Sequence, residues 1–193
     1  MTQLGGEIPQ SVTTIRKHLS AALQQNDILE IDANSLITGR DFLNKIWKQI
    51  LGVPIGIAIV SSEMQIGTIA NIFYEIGVLN ALGKDTIVVK SNDFKIPSDF
   101  VRTEYINYDK NFDKKINSFL TDVLELAEHY DLLAENLENN PSLSIDYWRR
   151  AFLISGDYEY LDKAKNLFET NTFDTQTKSY INFFMACEKD KKN

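Results

Sequence analysis

The sequence predicts an α/β fold: a small doubly wound parallel sheet followed by a C-terminal helical extension. Three observations predict it. Two short runs, Ile55 to Val60 (IGIAIV) and Thr86 to Val89, are continuously β-branched or apolar, with no alternation of polar positions. Such strands are buried on both faces, the environment of a central parallel strand. Helical segments alternate with strand-like runs through the first two thirds of the chain, which implies right-handed crossovers and a sheet covered on both faces. After Asp109 the pattern becomes helical only.

Taken in order, Thr2 to Leu4 reads as a brief first strand before the turn Gly5-Gly6. Ser11 to Gln25 reads as a helix capped by Ser11, with Val12, Ile15, Leu19, Ala22 and Leu23 on one face. Ile28 to Ile31 is expected as a strand ending at Asp32, and a helix is expected from about Gly39 to Ile50, with Phe42, Leu43, Ile46, Trp47 and Ile50 at core spacing. Ile55 to Val60 is the central strand, Thr68 to Leu82 a helix closed by Gly83-Lys84, Thr86 to Val89 a second buried strand and Tyr105 to Tyr108 a last one. This succession is that of a flavodoxin- or Rossmann-like sheet, whose ligand lies beyond the carboxyl ends of the strands. Asp32 to Asp41 and Ser61 to Thr68 are therefore expected at the mouth of a site. A long apolar stripe from Phe112 to Ala127 suits a helix covering the sheet, and helices follow from about Ser144 to Ser155, Tyr158 to Glu169 and Thr175 to Cys187.

The totals narrow the class of function. With 193 residues, 44% hydrophobic and 24% charged, the chain can bury a full core. A net charge of -7 disfavours a nucleic-acid backbone as direct ligand. The longest apolar run, Val53 to Val60, contains Pro54 and Gly56 and is too short to span a bilayer, and MTQLGGEIPQ reads as no signal peptide, so a soluble cytoplasmic protein is expected. The two histidines, His18 and His129, stand far apart, so no metal site or Ser-His-Asp triad is expected, and no GxGxxG or P-loop is present. His18 reads as a surface residue, His129 as a helix-end residue and Cys187 as a small packed hydrophobe.

The segment that carries chemistry is Ser61 to Lys84, SSEMQIGTIANIFYEIGVLNALGK. From Gly67 to Leu82 its only charged residue is Glu75, which on a helical wheel borders Ile72, Leu79 and Leu82. An acid held against an apolar surface needs compensation, and desolvation raises its pKa, as suits a group that moves protons or meets a sugar carbon. Asn71, one turn earlier, lies on the same side. The position equally suits a structural carboxylate bonded to loop amides or to Arg40. In the loop Asp32 to Asp41, Asp32 can accept from ribose hydroxyls, and Thr38, Gly39 and Arg40 at a helix start can hold a phosphate; an Asx turn and an ordinary N-cap explain the same residues.

Asn71, Tyr74, Glu75, Gly77, Ala81, Gly83 and Lys84, between two apolar strands, resemble the glutamate helix of the nucleoside 2-deoxyribosyltransferase-like superfamily and its relatives among TIR-like nucleotide-binding proteins. Ile96-Pro97-Ser98-Asp99 and Tyr105 to Asp109 resemble their last strand region, and the likeness covers about residues 28 to 125. It implies a domain over residues 1–128 that breaks the N-glycosidic bond of NAD or a deoxynucleotide, with Glu75 attacking or stabilising C1′; Asp32, Thr38, Gly39, Arg40, Asn71, Ser61 and Ser62 are the residues expected to hold the substrate. It also implies a hydrolase of bacterial antiviral defence switched on by assembly, with no cofactor beyond the nucleotide substrate. Where the transferases carry an acid at the end of the central strand, this chain has Ser61-Ser62, with Glu63 next, which shifts the expectation from transfer towards hydrolysis or binding without turnover. Residues 129–193 form the helical extension; Tyr147 to Phe168 resembles one tetratricopeptide unit, with Ala151, a Gly156-Asp157-Tyr158 turn, Ala164 and Phe168. Such a unit needs a neighbour to bury its faces, so a homo-oligomer or larger protein partner is expected there.

Overall fold

A computed structural model describes residues 7–31, 50, 52–98, 104–137 and 139–186, with the backbone alone for 180 and 183–186. Within them run helix α1 (Gln10–Gln25), strand β1 (Ile55–Val60), helix α2 (Ile66–Ala81), strands β2 (Asp85–Lys90) and β3 (Glu104–Asn107), and helices α3 (Phe112–Asn136), α4 (Pro141–Ser155), α5 (Tyr158–Thr170) and α6 (Thr175–Ala186). The chain divides into two compact units, Met1–Ile50 with Ile55–Leu120, and Leu51–Pro54 with Thr121–Asn193. It is an α/β protein with a helical second unit.

In the first unit the three strands form one parallel sheet in the order β1-β2-β3. The register sets Ile57 against Ile87 and Val89 against Ile106, and ends with Val60, Lys90 and Asn107 side by side. Ala58, Val60, Val88 and Val89 are wholly buried, which is why these runs carry no polar alternation. The apolar stripe of α1 (Val12, Ile15, Leu19, Ala22, Leu23), that of α2 (Ile72, Phe73, Ile76) and the start of α3 (Phe112, Ile116, Leu120) join the strands in a single core. Each large aliphatic side chain so buried stabilises by about 1.5–3 kcal/mol relative to exposure.

Backbone chemistry fixes where the helices stop. After α2, Gly83 adopts a left-handed φ of 65, its N–H bonds the Asn80 carbonyl at 2.9 Å, and the Lys84 N–H bonds the Leu79 carbonyl at 3.0 Å. That reciprocal pair is a Schellman motif, and it turns the chain directly into β2. Asp27 closes α1 the same way at φ 55, with the Ile28 N–H on the Leu23 carbonyl at 2.9 Å.

Several expectations change here. Ile28 to Ile31 forms no strand: Leu29 and Ile31 face solvent and only Ile28 packs on the core. Ser11 is not the cap of α1, which begins at Gln10 after Pro9; its hydroxyl reaches across to other segments instead. His129 does not end its helix, because α3 continues to Asn136. Thr2 to Leu4, Gly5-Gly6, Trp47 and most of the helix expected from Gly39 lie outside the described residues, as does Cys187; Ile50 is helical and buried.

In the second unit α4 and α5 pack as an antiparallel pair around Ala151 and Ala164, both without exposed surface. Small side chains at those points let the two backbones approach. Gly156, left-handed at φ 72, makes the turn, and Asp157 caps α5 by accepting from the Glu159 N–H at 2.9 Å. Trp148 donates to Asp131 at 2.7 Å, and Lys163 bridges the same carboxylate at 3.0 Å, tying α4 and α5 to α3. No helix among the described residues is long and apolar enough to cross a membrane.

Candidate functional site

Because the strands are parallel, the segments that leave Val60, Lys90 and Asn107 gather at one edge of the sheet. Ser61 is buried there. Its hydroxyl lies 2.9 Å from that of Ser11 and accepts from the Glu63 N–H at 3.3 Å, and the Ser11 hydroxyl in turn donates to Glu63 Oε2 at 2.9 Å. Ser62 is exposed and faces the segment after β2. Its N–H points at Ser91 Oγ (3.4 Å), and its hydroxyl donates to the Asp93 carboxylate. Hydrogen bonds from Ser62 and then Ser91 hold Asp93 below its ordinary pKa.

Lys90, buried in the same row, directs its ammonium to the carbonyls of Phe94 (2.7 Å) and Ser91 (3.3 Å) and lies 5.8 Å from the centre of the Tyr105 ring. It shapes the loop. Beside it Asn107 Oδ1 is buried, without a hydrogen-bond partner among the described residues. Past β3, Tyr108 meets His18 Nδ1 at 2.8 Å, which anchors the exposed imidazole to the sheet side of α1.

Glu75 sits elsewhere on the unit. It is half-buried on α2, flanked along the helix by the buried Ile72 and Leu79, and burial raises its pKa above the ordinary 4.5. Among the described residues its carboxylate has no hydrogen bond or ion pair. Asn71, one turn earlier, is exposed. α2 starts at Ile66, and at 1.5 Å per residue Glu75 lies about 13 Å further along the axis. A shallow depression of about 450 Å³ on α2, lined by Ala70, Phe73, Tyr74, Gly77, Val78 and Ala81, occupies another flank of the helix.

The expected site residues thus fall into two groups. Ser61 and Ser62 lie at the carboxyl edge, Asn71 and Glu75 along α2; Asp32, Thr38, Gly39 and Arg40 lie outside the described residues. Sequence reasoning missed Ser11, Ser91 and Asp93. One signal pointed to the last two: Ser91-Asn92-Asp93 follows a buried parallel strand just as Ser61-Ser62-Glu63 does. Among the described residues no three His, Cys, Asp or Glu side chains group as metal ligands. The chain matches no family model, no curated protein and no solved structure.

Proposed function

We propose that this chain cleaves the N-glycosidic bond of a nucleotide, NAD or a deoxynucleotide, with Glu75 as the group that meets C1′. The observation that carries the reading is the half-buried carboxylate of Glu75, without a partner among the described residues and destabilised as an anion by desolvation. As the C1′–N bond breaks, its electron pair leaves with the base and positive charge builds on the sugar ring. A fixed, poorly solvated carboxylate stabilises that charge or bonds to C1′, and water then supplies the hydroxyl. On this reading the sheet is the doubly wound, flavodoxin- or Rossmann-like sheet of the deoxyribosyltransferase-like and TIR-like proteins. The hydroxyl-rich edge around Ser61 and Ser62, together with Asp32, Thr38, Gly39, Arg40 and Asn71, holds the substrate. The chain acts in the cytoplasm, in defence, and residues 129–193 recruit a further copy or a larger partner through a tetratricopeptide-like pair.

A second reading is a nucleotide-binding or scaffolding module without turnover. It is favoured by the axial gap of about 13 Å between Glu75 and the start of α2, which leaves the edge hydroxyls without an acid of the α2 helix beside them. Incubation with NAD and with a panel of deoxynucleosides, followed by chromatography for released base and repeated with Glu75→Gln, separates the two. Release lost in the variant supports cleavage. A wild type that binds ligand yet releases nothing, at every oligomeric state seen by mass in solution, refutes it.

A further inference from the structure

We infer that Asp93 is a substrate-positioning residue, whose carboxylate, aligned by Ser62, accepts a hydrogen bond from a donor group of the ligand at the end remote from the bond being broken. The inference rests on the proposed nucleotide reading. Asp93 follows β2 and Ser62 follows β1, neighbouring parallel strands whose ends form one rim. Ligands of open parallel sheets lie on that rim. The carboxylate is exposed, and among the described residues no Lys or Arg pairs with it; the nearby Lys90 spends its ammonium on the Phe94 and Ser91 carbonyls. What surrounds Asp93 is hydroxyl: Ser62 donates to it and Ser91 lies between the two loops. An ionised, oriented acceptor that forms no ion pair with a described Lys or Arg, and feels Lys90 only through space, recognises O–H or N–H donors such as sugar hydroxyls or an exocyclic amine. Glu75 lies well down α2 from this rim, so contact at Asp93 acts on the substrate and on the transition state alike.

A simple loop clasp makes a different prediction, and two substitutions separate them. Asp93→Asn keeps an oxygen for the Ser62 hydroxyl but removes the charge, so a clasp survives it and a ligand acceptor does not. Ser62→Ala breaks the clasp and leaves the charge. Kinetics on NAD and on 2′-deoxyadenosine, with equilibrium dialysis of both in the Glu75→Gln background and melting temperatures for every variant, decide the matter. We expect Asp93→Asn to melt as the wild type does and, with NAD, the probe long enough to reach both groups, to weaken binding by about 10- to 100-fold and to lower kcat/KM chiefly through KM, as loss of a charge-assisted hydrogen bond does. Wild-type turnover with Asp93→Asn binding as tightly as its parent overturns this inference and leaves the role of Glu75 standing. So does a binding loss seen in Ser62→Ala but not in Asp93→Asn, which assigns the contact to the Ser62 hydroxyl and leaves Asp93 a loop residue. Neither turnover nor binding of either probe by the wild type overturns both.

Discussion

Replacing Glu75 by Gln removes a charge from a half-buried helix position while keeping the side chain's length and shape. A fully buried, uncompensated carboxylate costs several kcal/mol. Glu75 keeps part of its surface in water, so screening cuts the penalty, and removing it should stabilise the folded chain by about 1 kcal/mol at neutral pH. For a chain of this size that corresponds to a melting increase of roughly 2–4 °C. The pH dependence carries a definite sign. Burial raises the folded pKa above the unfolded 4.5, so between those values the native state holds the proton that the unfolded chain has lost. The Glu75 contribution to stability therefore falls as pH rises through that window and is absent from the glutamine variant, so the difference between the two isolates it. The variant's advantage should vanish well below pH 4.5, be small at pH 4.5, grow upward and level off once the folded carboxyl has ionised. Urea unfolding at a series of pH values from 4.5 to 8 measures this. A variant less stable than wild type at pH 7.5, or an advantage independent of pH, means that the carboxylate has a stabilising partner, and the desolvation argument then fails.

Two further substitutions test the backbone geometry. Gly156→Ala places a side chain at φ 72 where a Cβ meets nothing within 4 Å, so the cost is backbone strain alone, about 1–2 kcal/mol, read as a lower urea midpoint with unchanged helix content. No loss means that the α4–α5 turn is not left-handed. Asp27→Gly relieves a non-glycine residue at φ 55 and should raise stability by roughly 0.5 kcal/mol; a drop in midpoint would assign the aspartate side chain a bonding role.

The strands β1 and β2 were legible because burial on both faces leaves a run with no polar position, a signal that local sequence carries in full. The buried stripes of α1 and α2 were legible for the same reason at helical spacing. Ile28 to Ile31 misleads because apolar composition alone does not make a strand: Leu29 stays 69% exposed, and only Ile28 turns inward. Ser11 misleads differently. Its local signal, a serine ahead of an apolar periodic run, is a good cap signal. A partner 52 residues away, Glu63, and the hydroxyl of Ser61 claim its side chain instead. Asp93 carries only the weak signal of a Ser-x-acid run after a strand; its meaning depends on strand register, which sets its loop beside that of Ser62. The isolation of Glu75 on its helix was plain from the sequence; its distance from the edge follows from the helix rise once the start of α2 is fixed at Ile66.

That distance bears on the ligand. If one molecule touches both Glu75 and the rim at Ser62 and Asp93, it must extend over more than the axial rise of about 13 Å between Ile66 and Glu75, less what the side chains reach. A dinucleotide such as NAD is long enough to put its reacting ribose at the helix and a second sugar or base at the rim, whereas a single nucleoside engages one group or the other. Charge adds a constraint. The described rim offers the carboxylates of Glu63 and Asp93 and an ammonium already bonded to loop carbonyls, so it repels phosphate and accepts hydroxyls. The phosphates of a dinucleotide must then be met away from this rim, and Arg40, outside the described residues, is the residue the sequence offers for them. Tight binding of NAD with weak binding of 2′-deoxyadenosine is the pattern that this division of labour requires.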